Sequence, residues 1–170
     1  MFKHRAFLQK ESSNLKTEVK MELRELNEND LKSLIKLYEQ LDGANGNFSV
    51  EDARKIWKSE IKENKKLKYF GAVENGKVIS TCYCLIIPNL TRLGSSIAFV
   101  ENVVTDNKEY RGQGLGRKVM EMAIDFAREN NCYKIILQSA SFRKEAHQFY
   151  KNLGFDGESK KAFILKLKDY

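Results

Sequence analysis

The spacing of hydrophobic residues changes period several times along this chain, and each change marks an element. In "VKMELREL" (19–26), Val19, Met21 and Leu23 alternate with Lys20, Glu22 and Arg24, which predicts a half-buried strand. Leu31, Leu34, Ile35, Tyr38 and Leu41 then fall on one helical face, and Gly43 and Gly46 close that helix. Ser49 with Asp52 is a capping-box pattern. It opens a second helix with Ala53, Ile56, Trp57 and Ile61 on its apolar face. Asn75-Gly76 is a strong hairpin signal, joining a strand near 68–74 to one near 77–87. Pro88 and Gly94 bracket a loop, and the β-branched "SIAFVENVVT" (96–105) reads as a central strand.

Beyond a glycine-rich stretch, Leu115, Val119, Met122, Ala123, Phe126 and Ala127 recur at helical spacing. "YKIILQ" (133–138) is a further buried strand. "RKEAHQFYKNLGF" is a short helix ending at Gly154, and "KAFILKLK" closes the chain as a strand. The order β-α-α-β-β-β-α-β-α-β predicts an α/β (α+β) domain, a mixed sheet with helices on both faces. No internal repeat or low-complexity linker interrupts it. Residues 18–170 are expected to be one domain, with residues 1–17 a mobile N-terminal extension and Met21 itself a candidate start.

Composition narrows the function classes. A chain of 170 residues, 42% hydrophobic, can build a core without a metal or disulfide staple. No apolar run approaches the ~20 residues that span a bilayer, and the N-terminus lacks the apolar centre of a signal peptide. Neither a membrane partner nor export is therefore expected. Cys82, Cys84 and Cys132 are odd in number and lack metal-ligand spacing, so they read as buried thiols in a reducing cytoplasm. His147 has no second ligand at metal spacing, so no metal is expected. Net charge is +7, spread mostly as a solvated lysine-rich surface, and it suits an anionic small-molecule ligand. A nucleic-acid partner is not expected, because no aromatic stacking motif or basic recognition helix is present.

The glycine stretch "EYRGQGLGRKVMEMAIDFAREN" (109–130) places three glycines directly before a helix. Amides at a helix N-terminus point outward unpaired, and glycines let a phosphate come close to them. The loop therefore reads as a pyrophosphate cradle, with Arg111 and Arg117 adding charge. No GxxxxGK[ST] loop is present, and four strands precede this one, unlike a Rossmann fingerprint. The spacing of Arg111, Gly114 and Gly116 resembles motif A of the GNAT superfamily of acetyl-CoA-dependent N-acetyltransferases. "AHQFYKNLGF" resembles that family's second signature, and the likeness covers about residues 19–168.

The resemblance implies a mixed sheet of six to seven strands, with a cofactor cleft where the fourth and fifth strands splay. It implies that the main chain of Val103, Val104 and Thr105 holds the pantetheine arm of acetyl-CoA. The amides of Arg111, Gly112, Gln113, Gly114, Leu115, Gly116 and Arg117 would hold the pyrophosphate. Tyr150 matches the tyrosine that protonates the departing thiolate, and Phe149 beside it is expected to pack. Glu101 sits where the aminosugar-phosphate branch carries an acid, which makes it the candidate base, with a water chain as the alternative. Asn102 replaces the second acid of that branch, and Ala140 stands where many relatives place a cofactor-contacting asparagine. Ser141 is expected to cap the following helix, to contact the cofactor, or both. Arg143 and Lys144 are candidates for the 3′-phosphate. Transfer is expected to be direct from thioester to amine, without an acyl-cysteine. Tyr38, Glu39, Asp42 and Arg92 are candidates for the acceptor site, the acceptor expected to be a small amine, with a protein or peptide amine, or acetyl-CoA binding in a regulatory role without turnover, as the alternatives. A homodimer is a further expectation.

Overall fold

The computed structural model describes residues 20–42, 48–106 and 109–167. The proposed extension 1–17 and the helix-closing Gly43 and Gly46 lie outside them. Five strands form one sheet in sequential order: β1 (Met21–Glu25), β2 (Leu67–Glu74), β3 (Lys77–Ile87), β4 (Ser96–Thr105) and β5 (Cys132–Leu137). The first four are antiparallel to their neighbours, and β5 lies parallel to β4. The parallel pair is joined by α3 (Leu115–Glu129), as a parallel pair requires a crossover. The other helices are α1 (Leu31–Asp42), α2 (Val50–Ile56) and α4 (Lys144–Asn152).

Two apolar clusters flank the sheet. Val119, Met120 and Ala123 of α3 pack with Ile79, Cys82, Ile86, Ala98 and Val100. Leu31, Leu34 and Leu37 of α1 pack with Ala53, Trp57, Val73 and Val78 on the other side. The hairpin forms as its turn residues require: Asn75 and Gly76 both adopt positive φ, and Glu74 pairs with Lys77. The capping box at Ser49 is present, its hydroxyl accepting from the Asp52 amide at 3.1 Å. After Ile56 the helix widens into a π turn over Trp57–Ile61, which buries Trp57 but leaves Ile56 46% exposed. Ile56 is therefore not part of the apolar face predicted for it.

Two other expectations need correction. β1 is a strand, but its alternation faces the other way: Met21 and Leu23 are exposed, while Glu22 and Arg24 are the more sheltered. The reason is a polar anchor. Arg24 donates both guanidinium nitrogens to Asp30, at 2.7 and 2.8 Å, and the Asp30 side chain is only 5% exposed. The second correction concerns strand number. "KAFILKLK" forms no strand among the described residues, with Phe163 and Leu165 exposed, so the sheet has five strands rather than six to seven. Alternation specifies two faces of a segment. It does not supply the neighbouring edge that a ladder needs.

The Asp30 anchor carries a stability prediction. Burial alone would raise its carboxyl, but the Arg24 pair and the Asn27 amide at 2.8 Å outweigh burial and hold it below the ordinary range. A carboxyl depressed in the fold stabilises above its unfolded value of about 3.9 and loses that contribution as pH falls through the folded value. Asp30→Asn is expected to cost about 2 kcal/mol at neutral pH, in line with hydrogen bonds to a charged partner. The variant's deficit should shrink toward acid, measured by urea denaturation across pH.

Candidate active site

β4 and β5 run together only as far as Val100, which pairs with Leu137. β5 ends there, while β4 continues through Glu101–Thr105 with no partner on that edge. The splay expected from the sequence is therefore present. A bulge sits at the divergence. Tyr83 pairs with Glu101 and Thr81 with Val104, so Asn102 and Val103 together face Cys82, and Asn102 takes a left-handed φ of 54°. Past the bulge, Val103 packs into the α3 cluster and Val104 into the α1 cluster. Both valines are core residues by side chain, and their edge-facing backbone remains for a ligand.

The cleft that opens from this edge is walled by Val103, Val104 and Thr105, by Arg111, Gly112 and Gly114–Arg117, and by Phe149 and Tyr150 of α4. Gly112 and Gly114 adopt φ of 84° and 76°, conformations that L side chains rarely take. Gly114 occupies the N-cap position of α3 and offers no side-chain cap, so the first amides of the helix have no partner within it. A Cβ on Gly114 would meet no protein atom within 4 Å; its side would project into open space at the amides. Gly116 serves another purpose. A Cβ there would lie 3.2 Å from Thr105 Oγ1 and 3.6 Å from Phe149, so its bareness lets α3 press against the end of β4 and against α4. Gln113 folds back, its side-chain amide donating to the Glu109 carbonyl at 2.7 Å.

The two loop arginines are engaged with neighbours. Arg111 forms an ion pair with Glu145 of α4, both side chains exposed. Arg117 donates to the Asn152 carbonyl at 2.8 Å and pairs with Glu121 at 3.4 Å. Exposed pairs of this kind contribute at most about 1 kcal/mol, so an anion competes for these guanidinium groups at little cost.

Tyr150 lies on the cleft wall, its ring edge-on to Phe149 at 5.2 Å and to Phe155 at 6.1 Å. Burial, with a further contribution from the Glu101 carboxylate, pushes its phenol up to about 12. Glu101 is half-buried on β4 beside Tyr83, and burial raises its carboxyl above the ordinary range. A phenol that stays protonated and a carboxylate whose proton affinity is raised by burial thus lie near the divergence, Tyr150 on the cleft wall and Glu101 on β4 but not among the residues that line the cleft. Cys82 is buried in the core and its thiol is raised by burial, which suits packing and not nucleophilic attack. Cys84 is likewise buried, whereas Cys132 is partly exposed, contrary to expectation.

Other expected residues are distributed unevenly. Arg143 and Lys144 line the cleft, and Arg143 reaches across to donate to the Leu41 carbonyl of α1 at 3.0 Å. Ser141 does not cap α4: the N-cap position is Arg143, with no side-chain cap, and Phe142 forms the wall at this point. The helix begins two residues later than a serine cap would set it. Tyr38 buries its hydroxyl under α1 beside Thr81 and Asn102, while Glu39 is exposed. The Asp42 side chain lies outside the described residues. Arg92 stands over Tyr133, next to the start of β5. That is the paired end of β4 and β5, about 13 Å from the splay at ~3.3 Å per residue along β5 from Tyr133, and Arg92 is not among the residues that line the cleft. Gln40, Leu41 and Tyr110 line the cleft without any signal in the local sequence, because tertiary packing brings them there.

Comparison with known proteins agrees with this geometry. The model of the acetyltransferase (GNAT) family matches residues 29–155. A glucosamine 6-phosphate N-acetyltransferase of Trypanosoma brucei brucei is 34% identical over 137 residues, covering 81% of this chain and 90% of the relative. The crystal structure of a Trypanosoma brucei acetyltransferase superposes with a TM-score of 0.75 at 29% identity, over 87% of this chain and 100% of that one. The structure of glucosamine-6-phosphate N-acetyltransferase from Arabidopsis thaliana gives a TM-score of 0.77 at 25% identity, over 88% of this chain and 99% of that one. With the splayed β4 edge, the bare-amide loop and the family model all covering the same residues, this chain belongs to the GNAT family of acetyl-CoA-dependent N-acetyltransferases.

Proposed function

We propose that this enzyme transfers the acetyl group of acetyl-CoA directly to the primary amine of a small molecule, with amino sugar phosphates the first class to test. The observation that carries the reading is the protonated Tyr150 on the wall of a cleft that also holds the unpartnered β4 edge and the bare amides of α3. The relatives named as glucosamine 6-phosphate N-acetyltransferases support the acceptor class. Acetyl-CoA supplies the thioester. The backbone of Val103, Val104 and Thr105 holds the pantetheine arm, and the amides from Arg111 to Arg117 hold the pyrophosphate. Glu101 takes the proton of the amine, through water or directly, so that its nitrogen can attack. Tyr150 donates to the sulfur as the C–S bond breaks. The protein works in the cytoplasm, in this reading, and as a homodimer. The exposed apolar side chains of Phe163, Leu165 and Leu167 support the dimer, since a second copy would cover them.

A rival reading, acetyl-CoA binding without turnover, draws support from Asn102 and Ala140, which replace the acid and the asparagine of relatives. A thiol-release assay decides. Acetyl-CoA with glucosamine 6-phosphate, other amino sugars, aminoglycosides, polyamines and peptides should release CoA fastest with a phosphorylated amino sugar. CoA binding without release across the panel would favour the binder.

Three variants test the roles. Gly114→Val places a branched side chain at φ 76° and over the helix amides, so acetyl-CoA affinity should fall at least about tenfold, about 1.4 kcal/mol, by calorimetry. Tyr150→Phe keeps the ring and removes the acid. Turnover should drop roughly 10²-fold, in kcat and kcat/KM alike, with acetyl-CoA affinity unchanged. For the wild type, no alkaline loss due to Tyr150 should occur until pH nears the phenol value of about 12. Glu101 must be ionised to accept a proton, and burial raises its carboxyl. The acid limb of kcat/KM should therefore lie above the ordinary glutamate value of about 4.3, and Glu101→Gln should abolish that limb. An identical acid limb in the variant would assign the base to another group.

A further inference from the structure

The tip of the β2–β3 hairpin holds the chain at both ends of the segment that leads from β4 into the glycine loop. Asp106 directly follows β4. Its carboxylate, 8% exposed, receives the Lys77 ammonium at 2.9 Å, and Gln40 of α1 donates to its other oxygen at 3.4 Å. The Asp106 amide donates to the Ile79 carbonyl at 2.8 Å. Tyr110 directly precedes Arg111, and its hydroxyl donates to Glu74. Glu74 and Lys77 flank the two-residue turn, and the Lys77 ammonium also lies 5.8 Å from the centre of the Tyr110 ring. The turn is itself tied down, because the Asn75 amide donates to the Lys20 carbonyl at 3.1 Å.

From this arrangement we propose that the hairpin tip is a two-point clamp that sets the anion-binding loop against the open edge of β4, with Lys77, Asp106, Glu74 and Tyr110 as its positioning residues. The inference rests on the reading of 111–117 as the pyrophosphate cradle. A ligand that spans both the β4 edge and the α3 amides needs the two at a fixed separation. Hydrogen bonds from amides to an anion tolerate only small displacements before they weaken. The chain between them contains Gly112 and Gly114, which supply no stiffness of their own. Rigidity must come from outside the loop. The Asp106 carboxylate is buried, and the half-exposed Lys77 of the hairpin and Gln40 of α1 both hold it, so the end of β4 is tied to two neighbouring elements. Asp106 therefore fixes the end of β4 to the hairpin, and the Tyr110–Glu74 hydrogen bond fixes the start of the loop to the same rigid turn. None of the four residues needs to touch the reacting atoms for this effect.

The test is a calorimetric titration of the full chain with CoA, which requires no acceptor. Lys77→Met and Tyr110→Phe should each raise the Kd for CoA by about fivefold or more at unchanged stoichiometry, and Lys77→Arg should bind within about twofold of the wild type. A residue that only supports folding behaves differently: it lowers the competent fraction, read as stoichiometry, and leaves Kd alone. Wild-type Kd in both Lys77→Met and Tyr110→Phe, or a fall in stoichiometry alone, overturns the clamp. Gly114→Val in parallel separates the two ideas. If it weakens CoA while the clamp variants do not, the clamp alone fails; if it too leaves Kd unchanged, the cradle reading fails and the clamp with it.

Discussion

The parting of β4 from β5 is the constraint on which this molecule turns. Within a sheet, each strand edge offers amides and carbonyls that are costly to leave unpaired away from water. Here the ladder stops at Val100, and the edge from Glu101 to Thr105 is left open where the glycine loop and α4 converge. The bulge at Asn102 redirects the strand at that point. Because Val103 and Val104 anchor the two opposite cores, the open edge cannot fold away to find another partner. A rigid, unpaired edge is a site for an extended polar ligand, and an amide-bearing arm such as pantetheine has the complementary groups.

Everything around the cleft serves to hold pieces of backbone at chosen distances from that edge. Gly116 lets α3 lie close to Thr105, where a Cβ would sit a tight 3.2 Å from its hydroxyl. The Ser80 and Thr105 hydroxyls share a hydrogen bond at 2.8 Å, binding the end of β4 to β3. Arg143 bridges from the start of α4 to the last turn of α1. α4 has no fully buried residue, yet it carries the phenol, Phe149, the Glu145 partner of Arg111 and the Asn152 carbonyl that Arg117 donates to. It is held by Phe149, Tyr150, Leu153 and Phe155, which pack partly buried against the α3-side core.

The chemistry of the cleft comes from environment as much as from residue type. Burial raises the Tyr150 phenol, which stays protonated across the physiological range as an ordinary phenol does. Glu101 gains proton affinity for the same reason. The two differ in position: Glu101 shares a cross-strand register with Tyr83, and Tyr150 sits on a helix across the gap. The two groups thus come from different elements, and of the two it is Tyr150 that is among the residues walling the cleft. Cys82 and Cys84 are sealed in the core, and Cys132 is partly exposed at the start of β5.

Much of this was legible in the residues alone. Asn75-Gly76 has few conformations open to it other than the hairpin turn it makes, and the Ser49 box sets the start of α2 by purely local hydrogen bonds. Gly112 and Gly114 before an amphipathic helix specify a bare-amide loop, because their positive φ values disfavour any side chain, while the bareness of Gly116 serves the packing of α3. Family likeness added Tyr150 and the splayed strands to what spacing could say. Long-range packing decided the rest. Met21 and Leu23 faced outward because Arg24 found Asp30, a pairing invisible to alternation. "KAFILKLK" has the pattern of a strand, but a strand exists only where an edge receives it. Gln40, Leu41 and Tyr110 joined the cleft, and Arg92 left it, through the placement of α1 and the far end of the sheet. Local sequence determines which conformations a segment can adopt cheaply. Which segments meet is settled by the summed packing of the whole chain, and a cleft built from four separate stretches belongs to that second level.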